Sequence, residues 1–369
     1  MKQTRWDIFC RVIDNFGDIG VCWRLARQLA REHGVQPRLW VDDLKVAAKL
    51  LPSHGMGLDR QIIEGVEIRE WPKAEDVFED ETPAEVVIEA FACELPGAYI
   101  RQMKTSNPVW INLEYLSAEA WIHDFHARPS IHPATGLKKT CFFPGFTDKT
   151  GGLLREQGLA NARARFNPLK FWETLGITPK PKALKVSLFC YPHAPIGELL
   201  EAMSQGSKPV HCFVPNTSIL PEVAKHFGRK TLKLGETVND GALNLTVLPF
   251  LSQDTYDELL WACDLNFVRG EDSWIRALWS ARPFVWQTYK QPEGLHLTKL
   301  GAFLDIYEPD SALSTFNQAW LAGEINQAQW EALMAHLPTS QKHAQKQTHE
   351  FEKLTDLAAN LVSFAKNQV

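Results

Sequence analysis

The chain contains no run of eighteen apolar residues, so no segment has the length and apolarity of a membrane-spanning helix. Its first residues, Met1-Lys2-Gln3-Thr4-Arg5-Trp6-Asp7, lack an apolar h-region and a small-residue cleavage site, and the expected location is the cytoplasm. Seven cysteines (Cys10, Cys22, Cys93, Cys141, Cys190, Cys212, Cys263) stand singly, mostly inside apolar runs. Without Cys-x-x-Cys spacing they read as buried thiols rather than disulfides or metal ligands. There is no Asp-x-Asp, and the twelve histidines form no His-x-x-x-His pair, so neither a metal nor a cofactor is expected. A net charge of -5 excludes a broad cationic footprint for nucleic acid, and any basic site must be local. Short-period repeats and low-complexity tracts are also missing.

What the chain does have is length and alternation. At 369 residues it exceeds the size at which one hydrophobic core keeps growing, which favours two domains with a cleft between them. Strand-like and helix-like segments alternate from the start: strand Trp6–Ile13, helix from about Val21 to Glu32, strand Pro37–Val41, helix Lys45–Leu51. Further strands fall at Val66–Trp71, Glu85–Phe91, Pro108–Leu116 and Thr140–Phe146. This pattern predicts a parallel sheet covered by helices on both faces.

After a helical stretch from Asn161 to Leu175, Gly176-Ile-Thr-Pro-Lys-Pro-Lys182 reads as the interdomain linker. The alternation then restarts with strand Lys185–Cys190, helix Ile196–Met203, and strands Pro209–Val214 and Leu243–Leu248. Helix Asp254–Cys263, strand Asp264–Val268, helix Trp274–Ala281 and strand Pro283–Gln287 complete a second doubly wound domain. The expected division is 1–179 and 180–345, with a terminal helix at 346–369 packing back on the first domain. The stretch Gln327–Asn367 is helical with an expected break at Pro338. Its apolar stripe Phe351, Leu354, Leu357, Leu361 and Phe364 is expected to pack one face against a domain. Thirteen tryptophans, among them Trp110, Trp261 and Trp286 in periodic apolar segments, are assigned to core packing.

Two strand-to-helix turns carry chemistry. In Val268-Arg269-Gly270-Glu271-Asp272-Ser273-Trp274 an apolar strand runs through a tight charged turn into a helix. Backbone N–H groups and the positive helix end lie there at the carboxyl edge of a sheet, where α/β proteins bind anions. Ser273 and the backbone would hold a diphosphate, with Arg269 as counter-charge. Glu271 and Asp272 would repel it if aimed inward, so they contact ribose or sugar hydroxyls, or cap the helix. Phe189, Tyr191 and Phe250 at strand ends, with Gln253, offer a base flat apolar partners and an amide edge; core packing better explains each aromatic alone, and their shared position at strand ends favours the site.

The first turn, Ile13-Asp14-Asn15-Phe16-Gly17-Asp18-Ile19-Gly20, lacks the Gly-x-Gly-x-x-Gly of a dinucleotide site and places two carboxylates where phosphates would approach. Those acids face a cation or act as a base; the alternative is that Asp18 caps the helix and Asp14 shapes the turn.

The segment Thr246–Gln287 resembles the nucleotide-sugar half of GT-B glycosyltransferases, with acids at Glu271 and Asp272 where many members have glycine. Further, Asp14-Asn-Phe-Gly-Asp18-Ile-Gly, Asn112-Leu-Glu-Tyr-Leu-Ser117, Phe143-Pro-Gly-Phe146, Phe189-Cys-Tyr191, Pro249-Phe-Leu-Ser-Gln253 and Val268-Arg-Gly-Glu-Asp-Ser-Trp274 resemble the EarP family, across essentially the whole chain. These are bacterial protein-arginine rhamnosyltransferases that mature translation elongation factor P, the factor that rescues stalled ribosomes. The resemblance implies an α/β, GT-B protein of two Rossmann-like domains facing across a cleft. It implies inverting transfer of rhamnose from dTDP-β-L-rhamnose to an arginine guanidino nitrogen. Asp14, Asn15 and Asp18 are implied at the acceptor, with Asp18 favoured as base and Asp14 as partner, although physics alone allows the reverse. Phe189, Tyr191, Phe250, Gln253, Arg269, Glu271, Asp272, Ser273 and Tyr289 are implied around the donor. Competing expectations are a nucleotide-sugar 2-epimerase, a transferase with a small-molecule acceptor, and a non-enzymatic module docking on a translation factor.

Overall fold

The computed structural model describes residues 4–14, 16–51, 60–72 and 78–368. The chain divides into two compact units. One is built from the chain up to Gln157 together with the stretch from Lys353 onward; the other is Gly158–Glu352.

The first unit contains β1 (Arg5–Cys10), α1 (Phe16–His33), β2 (Gln36–Val41), α2 (Leu44–Leu50), β3 (Arg60–Ile63), β4 (Val66–Glu70) and β5 (Val86–Ala90). It continues with α3 (Gly97–Ser106), β6 (Val109–Leu113), α4 (Ile122–Phe125), β7 (Pro129–Ile131) and β8 (Lys138–Phe142). The sheet order is β3-β4-β2-β1-β5-β6-β8-β7, parallel except that β3 and β7 run antiparallel to β4 and β8 at the edges. Strands β1, β2 and β5 are almost continuously buried, as expected for strands covered on both faces. Phe9, Trp40, Trp71, Phe78, Tyr99 and Trp110 form the core of one face. Buried Asp7 is satisfied within it by Arg38 (Nη2 at 2.6 Å), the Ala84 N–H at 2.9 Å and the Tyr99 hydroxyl. A buried acid paired this completely is structural.

The second unit contains α5 (Leu159–Arg165), α6 (Pro168–Thr174), β9 (Leu184–Leu188), α7 (Ile196–Ser204), β10 (Val210–Pro215), α8 (Leu220–His226), β11 (Thr237–Asp240) and β12 (Leu243–Leu248). There follow α9 (Gln253–Ala262), β13 (Leu265–Arg269), α10 (Asp272–Trp279), β14 (Phe284–Gln287), α11 (Leu295–Tyr307), α12 (Ser311–Ala322) and α13 (Gln327–Glu352). Its sheet order is β11-β12-β10-β9-β13-β14, with β11 the antiparallel edge.

The units divide between Gln157 and Gly158, upstream of the expected 179/180 boundary. The expected helix 161–175 is two helices, α5 and α6, separated at Phe166-Asn167, with Asn167 capping α6. Both lie in the second unit, where Phe171 and Trp172 of α6 pack on Phe213, Leu248, Leu251 and Leu259, each such burial contributing roughly 1.5–3 kcal/mol.

Pro338 does not break the terminal helix: α13 runs unbroken through it. A mid-helix proline leaves the carbonyl four residues earlier without its N–H partner, and here the Met334 carbonyl accepts from Lys208 Nζ at 3.1 Å instead. The chain turns at 353–356, where Asp356 caps α14 (Leu357–Lys366), and α14 returns to the first unit. The Leu357 N–H donates to the Leu153 carbonyl at 2.9 Å and Phe364 meets Phe142 edge to face at 5.6 Å. The stripe expected on one domain is therefore shared, with Phe351 buried in the second unit and Leu357 and Leu361 in the first. The six described cysteines other than Cys141 are buried and all seven are free. Among the described residues no helix is long and apolar enough to cross a membrane.

Candidate active site

In a doubly wound sheet, ligands bind at the carboxyl edge where neighbouring crossovers leave in opposite directions. In the first unit that point lies between β1 and β5, the strands flanked by β2 and β6; in the second it lies between β9 and β13, flanked by β10 and β14. The turn holding Asp14 follows β1, and the turn holding Gly270 to Ser273 follows β13. Both motifs therefore stand at a switch point of their own sheet.

Helix α1 starts at Phe16 rather than near Val21, which puts Asp18 in its first turn. A carboxylate there can reach back to the N–H groups that precede the helix, as in a capping box. Asp18 Oδ2 accepts from the Ile13 and Asp14 N–H groups, both at 2.8 Å, while Tyr115 Oη donates to Oδ1 at 3.3 Å. Asp18 is 2% exposed. Burial pushes its carboxyl above the ordinary value, the two N–H bonds and Tyr115 pull it back, and the net shift is upward.

Asp14 is half-buried, and its carbonyl closes the turn by accepting from the Gly17 N–H at 2.7 Å. Its carboxylate lies over Gly17, so close that a Cβ on that glycine would stand 2.9 Å from Oδ2. The structure thus brings Asp14 and Asp18 to one turn. Asn15 lies outside the described residues.

In the second unit Arg269 ends β13 with its guanidinium between two rings, 4.5 Å from Phe189 and 4.6 Å from Tyr191. Its Nη1 donates to the Cys190 carbonyl at 3.3 Å. A guanidinium can make such cation–π contacts with two rings at once more readily than a compact ammonium can. Gly270 turns the chain with φ +60, and its carbonyl accepts from Trp286 Nε1 at 2.8 Å. Trp286 stacks on Trp274 at 3.6 Å, pinning the start of α10 to the sheet. The Ser273 hydroxyl accepts from the Arg269 N–H at 3.0 Å and donates to the Arg269 carbonyl. Its proton is therefore committed to the turn.

Glu271 makes no side-chain cap bond, and Asp272 Oδ2 accepts from Gln253 Nε2 at 3.1 Å. Capping by Glu271 is thereby excluded in this state, and Gln253 and Asp272 form one polar pair. Arg276 and Asp257, both buried, join α10 to α9 with Nη2 to Oδ2 at 2.6 Å. Tyr289 is half exposed and meets Tyr191 edge to face at 5.8 Å, and the Tyr191 N–H donates to Gln287 Oε1 at 2.7 Å. Phe250 is half-buried at the end of β12.

Several residues at these edges escaped the sequence reading. Tyr115 belongs to a motif noted only for its resemblance. Tyr256 meets Phe189 edge to face at 5.4 Å from α9. His193 stacks on Tyr191 at 5.6 Å; burial first, then Lys290, His296 and Arg269 nearby, push its imidazole below the ordinary value. The Lys290 and Arg269 charges near His193 suit an anion. Among the described residues one triplet of metal-ligand type, Glu201, His226 and Asp240, has its ligand atoms within 4.8 Å of one another. It lies at the surface, where Asp240 already pairs with His226 at 3.2 Å.

The chain is similar to known proteins along its length. The family described as Elongation-Factor P (EF-P) rhamnosyltransferase EarP matches residues 6–366. A protein-arginine rhamnosyltransferase of Pseudomonas putida is 44% identical, covering 100% of both chains. That of Pseudomonas aeruginosa is 45% identical over 98% of this chain and 99% of its own. A solved structure from work on EarP-mediated arginine glycosylation of translation elongation factor EF-P covers 100% of both chains at 34% identity, with a TM-score of 0.71. The spinosyn rhamnosyltransferase SpnG, at 12% identity and a TM-score of 0.53, shares the α/β fold of GT-B glycosyltransferases. With its two doubly wound units, its paired acids after β1 and its Arg-Gly-Glu-Asp-Ser turn after β13, the chain belongs to the EarP family of protein-arginine rhamnosyltransferases.

Proposed function

We propose that the enzyme moves L-rhamnose from dTDP-β-L-rhamnose to a guanidino nitrogen of one arginine on translation elongation factor P, in the cytoplasm, with inversion and without a metal or cofactor. The observation that carries the proposal is the buried Asp18 carboxylate at the switch point of the first sheet, raised in basicity by burial and backed by Asp14.

The chemistry demands such a group. A guanidinium has a pKa above about 12, so the neutral nucleophile costs at least about 7 kcal/mol at pH 7. A carboxylate cannot supply that by prior deprotonation; it takes the proton as the C–N bond forms. Two acids divide the work, Asp14 orienting the planar cation and Asp18 accepting the proton. As the N–C1 bond forms, the C1–O bond to the diphosphate breaks and its electron pair leaves with dTDP. The α10 N-terminus and Arg269 stabilise that charge, with His193 close by. Phe189, Tyr191, Phe250 and Tyr289 hold the base and sugar; Gln253, Glu271 and Asp272 take hydroxyl and amide contacts.

Asp18→Asn keeps the shape of the site and removes the base. It is expected to lower transfer by several orders of magnitude with donor affinity within about twofold of wild type. Normal turnover by Asp18→Asn would end the assignment.

A further inference from the structure

Resting on Asp18 as the base, we propose that Tyr115 is a positioning residue that selects Oδ1 of Asp18 as the proton-accepting oxygen and aims it. The two oxygens of Asp18 are not equivalent. Oδ2 accepts two backbone N–H groups, from Ile13 and Asp14, at 2.8 Å each, which occupies both of its lone pairs. A proton delivered there would have to displace a bond that holds the turn. Oδ1 accepts only from Tyr115 Oη, at 3.3 Å, among the described residues, which leaves a lone pair for the acceptor.

The Tyr115 ring is itself fixed. It stacks on Phe91 with centroids 4.3 Å apart and planes 11° from parallel. Phe91 has φ +57 and Ala92 φ +52, a left-handed pair at the end of β5 that bulky residues seldom adopt. The pair is held by bonds from the Phe91 N–H to the Leu113 carbonyl at 2.7 Å and from the Ala92 N–H to Asn112 Oδ1 at 3.1 Å. Strand β5 therefore leaves the sheet in a conformation that slides Phe91 beneath the tyrosine, and the tyrosine reaches Asp18 from the far side of the switch point. Asp18, Tyr115 and Phe91 come from α1, the chain after β6 and the chain after β5, and all lie in the first unit.

In the transfer step the guanidino proton moves to Oδ1 as the N–C1 bond forms and the C1–O bond breaks toward the diphosphate. Tyr115 keeps its own proton and donates only a hydrogen bond. That bond favours the ionised carboxylate. The other titratable groups facing Asp18 are Asp14 on the same turn, Cys10 at the end of β1 and Asp42 after β2, and the Asp42 charge works in the opposite direction.

The test is the pH dependence of rhamnose transfer to elongation factor P by Tyr115→Phe, which keeps the stacked ring and loses the hydroxyl. Its kcat is expected to fall roughly tenfold with acceptor KM unchanged, and the acidic limb of kcat/KM to move up by roughly half a pH unit. A wild-type kcat and limb would overturn the proposal. Phe91→Leu keeps the hydroxyl but frees the ring; a several-fold loss of kcat at unchanged melting temperature supports it, and unchanged kcat overturns it. The base assignment is tested separately in the same assay. An inactive Asp18→Asn beside a wild-type-like Tyr115→Phe removes Tyr115 and leaves the base in place, whereas an active Asp18→Asn removes the base itself.

Discussion

Gly17→Ala isolates the position of the Asp14 carboxylate from the stability of the fold. Gly17 lies in the first turn of α1, and no left-handed φ constrains it, so alanine meets no backbone obstacle. Its new Cβ would stand 2.9 Å from Asp14 Oδ2 and 3.4 Å from Cγ. The carboxylate must move by about 0.5 Å to restore ordinary contact. As the far end of a flexible side chain it can shift, at a rotamer cost of about 0.5–1 kcal/mol. Alanine recovers a comparable amount through its greater helix propensity, about 0.5–1 kcal/mol and less in a first turn. The melting temperature is therefore expected within about 2 °C of wild type.

Catalysis responds differently. A misplacement of about 1 Å in a positioning group costs on the order of 100-fold, so half of that costs roughly tenfold in kcat/KM for the protein acceptor. Affinity for dTDP, measured by calorimetry, should not change, because the proposed donor residues lie on other elements. A Gly17→Ala enzyme with wild-type kcat/KM and wild-type stability would refute the idea that the placement of Asp14 matters.

Other expectations follow from the same contacts. Arg269→Lys keeps the charge but loses the guanidinium contacts with Phe189 and Tyr191, so the dTDP dissociation constant should rise roughly tenfold by calorimetry; an unchanged constant would argue against those contacts as part of the donor site. His193 is neutral at pH 7 because its imidazole is held below the ordinary 6.5, and it charges as pH falls. Wild-type affinity for dTDP relative to His193→Gln should therefore grow on acidification, and parallel pH profiles would exclude His193 from the anion site. Gly152 has φ +77, and a Cβ there would stand 2.2 Å from the Thr355 carbonyl, so Gly152→Ala should destabilise the protein by about 2–3 kcal/mol in denaturant unfolding. An unchanged midpoint would show that the approach to Thr355 is not tight.

The central strands were legible because strands covered on both faces are mostly apolar, as in Trp6–Cys10, Val86–Ala90 and Leu243–Leu248, where only Asp7, Glu89, Asn244 and Thr246 interrupt the pattern. The edge strands were not: β3 and β7 are short and carry polar or exposed residues that need only one neighbour. Helices α11 and α12 left weaker traces, although Asp310 before Ser311 is an N-cap signal, with bonds from Ala312 and Leu313 N–H at 3.1 Å. Pro338 misled because its remedy, Lys208, comes from a distant part of the chain.

The site followed the same division. Asp14 with Asp18, and Arg269 to Ser273, were readable because each lies within one strand-to-helix turn. The stack of Phe189 and Tyr191 on Arg269 depends on β9 lying beside β13, and Tyr115 under Asp18 depends on β5 and β6 following β1 in the sheet. Contacts of that kind are written in the strand order and not in any local spacing. The pairing of Gln253 with Asp272 was not readable either, because it joins the start of α9 to the start of α10.

The most direct test of the central claim is mass spectrometry of elongation factor P after incubation with the enzyme and dTDP-rhamnose. One deoxyhexose on a single arginine, absent when Asp18→Asn replaces the wild type, is the expected result. Unmodified elongation factor P in the presence of folded enzyme and intact donor would contradict it, as would a sugar appearing on any residue other than arginine.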